Sequence, residues 1–280
     1  IIRHKKPFIL HRYSAGIPEF PFVKEIKEHT KHFVSTSVFG NQDESIEISK
    51  IIYVSKWAQW HAGKVGNSSK GISYPNHHVV RNPIEASYST ENLREEFNIP
   101  EDAFVFGRIG RDDESIYDPI NIQAYAQVEN EHTFFVLVNP SSRCRADLRG
   151  LNIKNARFME RTTSEVRLSK FYNTIDVLAH SRKDGEINPA NVWEAFAHGK
   201  PVVSHYAHPF NGHIEVIRDC GFVVLKGDVN EYARIMKKFI NKDIDYFKLS
   251  EKCINNWQEI CTPDIVSKLQ LEIYKELLNE

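Results

Sequence analysis

Two carboxylates, Glu186 and Glu194, enclose the seven residues Ile187-Asn188-Pro189-Ala190-Asn191-Val192-Trp193. Asn188 followed by Pro189 spells an N-cap with a proline at the first helical position, and Gly199 followed by Pro201 spells a stop, so a helix is predicted over Pro189–His198. A helix start leaves its first amides without partners. The amides of Ala190 and Asn191, with the helix dipole behind them, suit a diphosphate. Glu186 precedes the cap and Glu194 lies about a turn and a half into the helix, so one carboxylate stands at the loop and the other beside the groove. Both can reach one elongated ligand. The same spacing also fits a solvated loop charge and a surface helix residue, and spacing alone does not separate these readings.

Other chemistries find less support. Gly107-Arg108-Ile109-Gly110 begins like a dinucleotide turn but lacks the third glycine of G-x-G-x-x-G, so NAD is not supported. His205, His208 and His213 surround Pro209 and Gly212, which predicts a surface loop, and no neighbouring carboxylate set completes a metal cage. There is no G-x-S-x-G nucleophile turn and no Cys–His signature. Trp57 and Trp60 read as helix packing rather than as a sugar platform.

The elements that must position these residues are those of an α/β protein. From Ala103 onward, short apolar runs alternate with helical patterns, the mark of βαβ units and a parallel sheet. The predicted strands are Ala103–Gly107, Thr133–Val138, Ala156–Met159, Ile175–His180, Pro201–Ser204 and Gly221–Leu225. Runs such as TFFVLV lack polar alternation, as expected for strands buried on both faces. Asn188-Pro189 follows the strand IDVLAHSR at the carboxyl end of this sheet, where open α/β sheets place ligands. Residues 1–85 repeat the alternation in a shorter form: PFIL, a helix around Phe22–His29, HFVST, KIIYVS leading into Trp57–Val65, then HHVV. The polar stretch from Glu85 to Pro100, with a Thr90-capped helix, marks the junction. A last helix after Thr262-Pro263 carries Ile265, Leu269 and Ile273 at i, i+4 and i+8 and needs something to pack on.

The whole chain sets bounds on function. Its 280 residues suit two domains. With 36 Lys and Arg against 37 Asp and Glu, there is no general reason to expect a nucleic acid or another polyanionic partner. The cluster Arg3-His4-Lys5-Lys6 reads as solvated surface. Four cysteines, Cys144, Cys220, Cys253 and Cys261, show no C-x-x-C spacing and suggest reduced thiols in a cytoplasmic setting. No apolar run is long enough for a transmembrane segment.

A resemblance sharpens this reading. Ser181, Glu186 and Glu194-Ala195-Phe196-Ala197, then Gly199 and Pro201-Val202-Val203, resemble the E-x7-E signature of retaining GT-B glycosyltransferases of family 4, the glycosyl transferases group 1. Gly212-x-x-Glu215-Val216 with Gly221–Val224 resembles the family's G-x-x-E-V segment and the strand after it. Phe106-Gly107-Arg108-Ile109 resembles its first-strand G-R-[LI] motif. The likeness runs from about Ala103 to Leu225. It implies that Glu194 holds the donor's ribose hydroxyls, that Glu186 and the Ile187, Asn188, Pro189, Ala190, Asn191 turn lie by the transferred sugar, and that Arg108 contacts the diphosphate. A carboxylate suits a vicinal diol because each hydroxyl can donate one hydrogen bond, and a fixed cation offsets charge developing on a leaving phosphate. Arg108 in a structural ion pair is the alternative.

Departures are visible too. The family's Lys-Gly pair is replaced by Gly110-Arg111-Asp112-Asp113, which leaves Arg111 as either the second cation or a surface residue. Its E-G-F-G-L-P wording becomes Glu186-Ile187-Asn188-Pro189, which changes the approach to the sugar. Lys6-Pro7-Phe8-Ile9-Leu10-His11 resembles the family's strand ending in a histidine that faces the donor sugar, so His11 is either a catalytic-site residue or a satisfied strand-end histidine. The glycine-rich acceptor loop has no counterpart.

The expectation is therefore a GT-B-like fold: two Rossmann-like α/β domains with parallel sheets facing across a cleft, the first incomplete. Residues 1–88 form a partial acceptor-side domain, 89–260 the nucleotide-sugar domain, and 261–280 a helix crossing back. The expected activity is transfer of a hexose-type sugar, with retention and without metal or cofactor, from a nucleoside diphosphate sugar to a glycan, lipid-linked or small-molecule hydroxyl acceptor. A non-catalytic nucleotide-sugar-binding subunit, completed by a partner chain or a missing N-terminal segment, and a nucleotide-sugar epimerase are the alternatives.

Overall fold

The computed structural model describes residues 8–15, 17, 19–41, 45, 47–65, 77–85 and 88–279, and the Arg3–Lys6 cluster lies outside them. The chain forms two compact units, one from Ile1–Pro83 with Pro263–Glu280 and the other from Ile84–Thr262. All four cysteines are free and buried. Among the described residues no helix is long and apolar enough to cross a membrane.

The first unit holds a parallel sheet ordered β1 (Ile9–Ser14), β2 (His32–Ser37), β3 (Lys50–Tyr53) and β4 (His77–Val79). β2 is buried along its whole length, and its Val34 packs with Ile52 and Val80. Helix Pro263–Asn279 completes this core with Val266, Ile273 and Leu277. The expected stripe through Ile265 and Leu269 is not the buried one, and Leu269 is exposed. The packed face runs through Val266, Gln270, Ile273 and Leu277, which are helical neighbours in spacing. Its polar member hid the stripe: Gln270 donates to Tyr274 Oη at 2.7 Å and meets His11 Nδ1 at 2.8 Å.

The second unit holds six parallel strands: β5 (Phe104–Ile109), β6 (Thr133–Val138), β7 (Ala156–Met159), β8 (Val177–Ala179), β9 (Val202–His205) and β10 (Gly221–Val224). Their order is β10-β9-β8-β5-β6-β7. The chain walks outward from β5 to β7, then returns to the other side of β5 for β8. That reversal opens a crevice at the carboxyl ends of β5 and β8.

Burial on both faces explains the apolar strands. Val105, Val136, Leu178 and Val202 face one core, which helices Glu165–Thr174, Ala190–Ala197 and Tyr246–Ile260 close with Phe171, Phe196 and Trp257. Phe106, Phe135, Val177 and Val203 face the other, closed by helices Ile120–Tyr125 and Val229–Ile240 with Tyr125, Tyr232 and Met236. Neighbours along a strand alternate between the two cores, as the period of two requires.

Two local expectations change. No helix follows Thr90, and residues 93–98 form turns. There the Phe97 and Ile99 amides close turns onto the Leu93 and Arg94 carbonyls, while the Leu93 amide donates to Thr174 Oγ1 at 2.7 Å and Arg94 Nη1 donates to the carbonyls of Pro100 and Ala103, which ties the segment to its surroundings as well. Asn188 is not the cap of the site helix. Pro189 takes the N-cap position in an extended conformation (φ −79°, ψ 101°), no side chain caps the helix, and the first helical residue is Ala190.

Candidate active site

Arg108 and Ile109 end β5, and the turn from His180 to Pro189 leaves β8, so both border the crevice. A cavity of about 250 Å³ there is lined by Arg108, Arg111, Glu186, Ala190, Asn191 and Glu194. A larger cavity of about 900 Å³ shares Arg111 and Glu194 and extends to Asn139, Arg161 and Leu168. These volumes suit a small ligand.

The helix start presents its amides here. Trp193 N–H closes the first turn onto Pro189 O at 3.3 Å, so the amides of Ala190, Asn191 and Val192 precede the first intrahelical bond. Ile187 is buried, and Asn188 and Asn191 each keep a buried Oδ1 without a hydrogen-bond partner. Asn191 Nδ2 donates to Glu186 Oε1 at 3.4 Å.

Arg108 is the most unusual side chain of the group. Its guanidinium lies over the Tyr117 ring at 5.5 Å, and Tyr117 is fixed by donating to Asp147 Oδ2 at 2.9 Å. Arg108 is 5 % exposed, and neither Nε nor Nη1 has a hydrogen-bond partner. A buried cation with unused donors is costly unless an anion meets it. No ion pair of the described residues involves Arg108, and among them the Tyr117 ring is the one cation–π contact of its guanidinium. Arg111 is exposed and lines both cavities.

The two glutamates sit in contrasting surroundings. Burial pushes the Glu186 carboxyl up, yet the hydrogen bond from His180 Nε2 at 3.1 Å and the Arg182 charge hold it below the usual carboxylate range. Burial pushes Glu194 up, and the 2.6 Å hydrogen bond from Tyr172 Oη offsets this only in part, with the Glu186 charge adding to the rise. Glu186 is the readier anion of the two. Glu194 keeps Oε2 for Tyr172, so one oxygen remains for a ligand.

The turn carrying Glu186 is held by close backbone packing. Gly185 has φ +72°, and an added Cβ would lie 1.7 Å from Phe210 O; at Gly212 it would lie 2.0 Å from Ile187 O. Only glycine fits either place.

The segment between β9 and helix Gly212–Ile217 is a loop with His208 and Pro209 exposed, as expected, but His205 and His213 at its two ends are buried. Among the described residues no group of three or more potential metal ligands gathers. Trp57 stacks on His61 and tilts against Trp60, whose ring is exposed. His11 lies within β1 of the first unit. Its Nδ1 meets Tyr274 Oη at 2.6 Å and its Nε2 meets Thr36 Oγ1 at 2.7 Å, and burial lowers its pKa to about 4. Sequence reasoning did not single out His180, Tyr172 or Tyr117. His180 had one available signal, its place at the end of β8 directly before Ser181.

Residues 89–259, more than half of the chain, match the family described as Glycosyl transferases group 1. The chain belongs to that family. It is a transferase acting on sugars, built on the α/β fold with two parallel sheets found in GT-B glycosyltransferases. Solved structures similar to this group 1 transferase include a glycosyltransferase from Rickettsia africae (17 % identity, 99 % of this chain and 78 % of that one, TM-score 0.80). Anabaena Alr3699/HepE in complex with UDP-glucose is similar at 18 % identity, over 89 % of this chain and 73 % of that one, with a TM-score of 0.69. Sucrose-phosphate synthase from Thermosynechococcus elongatus is similar at 14 % identity, over 97 % and 74 %, with a TM-score of 0.71. No curated protein matches the sequence.

Proposed function

We propose that this group 1 transferase moves a hexose-type sugar from a nucleoside diphosphate sugar to a hydroxyl acceptor, with retention of configuration and without a required metal or cofactor. The observation that carries the reading is Arg108, a buried guanidinium whose Nε and Nη1 have no hydrogen-bond partner and which lines the same cavity as Glu186 and Glu194. Its chemistry calls for an anion such as a diphosphate. Arg111 is the second cation, and the amides of Ala190 and Asn191 complete the anion site. These groups offset the diphosphate charge without a metal ion.

Glu194 takes ribose hydroxyls through its remaining carboxylate oxygen. Glu186, kept ionised, accepts hydrogen bonds from hydroxyls of the transferred sugar, beside the Ile187–Asn191 turn. As the glycosidic C–O bond breaks, its electron pair leaves with the diphosphate, and Arg108 stabilises that growing charge. The acceptor oxygen forms the new bond on the same face and passes its proton to the departing diphosphate oxygen, which carries the electron pair of the broken bond. His11 has no part in this scheme, because both its ring nitrogens are engaged inside the first unit. The acceptor is a glycan, a lipid-linked sugar or a small molecule, and the setting is cytoplasmic. UDP-glucose bound to the Anabaena neighbour makes UDP-sugars the first donors to test.

A panel of UDP-, GDP- and ADP-sugars, assayed for binding, transfer and donor hydrolysis, tests the proposal. Loss of turnover is expected in Arg108→Ala and Glu194→Ala, and unchanged turnover in both sinks it. Donor binding without turnover would point to a binding subunit, and an epimerised donor formed without acceptor would point to an epimerase.

A further inference from the structure

Three buried histidines surround the turn that carries Glu186, and each ring nitrogen on it has a defined partner. His180 Nε2 faces Glu186 Oε1 at 3.1 Å, and its Nδ1 faces Ser204 Oγ at 2.8 Å. His213 Nδ1 accepts the Glu186 amide at 3.3 Å, its Nε2 meets His205 O at 3.0 Å, and its own amide donates to Glu186 O at 3.1 Å. His205 Nε2 accepts the Arg182 amide at 3.4 Å, and its Nδ1 meets Tyr206 O at 2.8 Å. The root of the turn is pinned as well, since Tyr232 Oη donates to His180 O at 3.1 Å and to Val203 O at 2.7 Å.

The backbone contacts fix the tautomers of His205 and His213. A nitrogen that accepts from an amide must be bare, and one that meets a carbonyl must carry a proton. His213 is therefore the Nε2–H form and His205 the Nδ1–H form, both neutral. Burial lowers the pKa of each, to about 4 for His213, in keeping with this geometry. On His180 a proton belongs on Nε2, facing the carboxylate, while Nδ1 is hydrogen-bonded to the Ser204 hydroxyl, which can serve as either donor or acceptor.

Ser204, His180 and Glu186 have the connectivity of a nucleophile–base–acid triad, but the orientation is reversed. The Ser204 hydroxyl is wholly buried in β9, while the carboxylate lines the cavity. The chain of hydrogen bonds ends on Glu186, so its outcome is the placement of a carboxylate.

We infer that His180, His205 and His213 are positioning residues for sugar transfer: His180 aims the Glu186 carboxylate into the cavity, and His205 and His213 fix the peptide on which it stands. The inference rests on Glu186 serving the transferred sugar as proposed above. Arg108 and Glu194 hold the nucleotide independently of these rings, so the histidines govern turnover and not nucleotide affinity.

The test compares His180→Phe and His180→Gln, using whichever of UDP-glucose, GDP-mannose and ADP-glucose is turned over, and its free nucleoside diphosphate. In His180→Phe, kcat falls roughly ten- to a hundredfold, the loss met when a partner orienting a functional side chain is removed. The dissociation constant of the free diphosphate stays within about twofold in this scheme. His180→Gln, which keeps an N–H donor, recovers most of the rate. Wild-type turnover in His180→Phe, or diphosphate affinity falling in step with kcat, overturns the inference. If that variant does not fold, Ser204→Ala removes the Nδ1 partner without adding bulk and carries the same expectation at smaller size. Long-range proton–nitrogen spectra of histidine-labelled wild type give a reading free of turnover. A proton on Nε2 of His180 and His213 and on Nδ1 of His205 supports the arrangement, and a bare Nε2 on His180 or His213 refutes it. A panel with no donor turned over counts against the proposed function, while the spectra still decide this inference.

Discussion

Replacing Arg108 by methionine is expected to make the protein more stable and unable to hold its donor. The guanidinium is buried, with Nε and Nη1 unpaired, over the Tyr117 ring. Each unpaired buried donor costs about 1–3 kcal/mol, and the contact with the ring returns about 0.5–2 kcal/mol. Methionine keeps an apolar stem against Tyr117 and removes both donors, a gain of about 2–6 kcal/mol less the ring contact, so the unfolding free energy rises by up to about 5 kcal/mol. Each kcal/mol corresponds to about 2–4 °C in Tm for domains near this size. Ligand linkage runs the other way: in the parent protein a nucleoside diphosphate at a hundredfold excess over its Kd adds about 2.7 kcal/mol. The variant gains little of this, because the cation that met the diphosphate is gone. Urea denaturation followed by tryptophan fluorescence, with and without UDP, GDP and ADP, reads both effects. A variant less stable than its parent without ligand, or one that keeps the full ligand-induced gain, refutes the account of Arg108 as a cation held ready for an anion.

Two further outcomes follow from the same site. Tyr172→Phe removes the hydroxyl that partly offsets burial at Glu194, so the carboxyl holds its proton to higher pH, and the acid limb of diphosphate binding moves upward; calorimetric titration between about pH 5 and 8 checks this, and an unmoved limb contradicts it. His213, lowered by burial from 6.5 to about 4, refuses a proton that the unfolded chain binds between those values. Stability from this ring is complete above about pH 6.5 and is lost as pH falls towards 4, by roughly 3 kcal/mol in all, and His213→Gln should flatten the unfolding free energy measured across that window.

The second sheet was legible because its strands are buried on both faces. Thr133–Val138 has no polar residue after the first, and its bounds match the observed strand. The match over residues 89–259 rests on the same stretch that carries Arg108, Glu186 and Glu194. What misled was local chemistry overruled by tertiary contacts. Asn188-Pro189 looks like a cap and a first helical residue, yet the extended Pro189 delays the helix to Ala190. Pro209 and Gly212 look like a surface turn, yet His205 and His213 beside them are buried because their ring nitrogens satisfy the backbone of the Glu186 turn. The buried stripe of Pro263–Asn279 was hidden by Gln270, whose place on the packed face depends on His11, more than two hundred residues earlier. None of these partners can be read from a window of neighbouring residues.

The division of the chain also has a consequence for the order in which it folds. The unit bearing Arg108, Glu186 and Glu194 is one unbroken stretch, Ile84–Thr262, set between the two pieces of the other unit. As the polypeptide leaves the ribosome, this inner stretch can bury its core while Val34, Ile52 and Val80 still await Val266, Ile273 and Leu277. The first sheet is thus the later to mature although it is the earlier to be made. Until helix Pro263–Asn279 arrives it presents an apolar face that a holding chaperone would recognise, and shortening the protein before Pro263 would prolong that vulnerable state indefinitely.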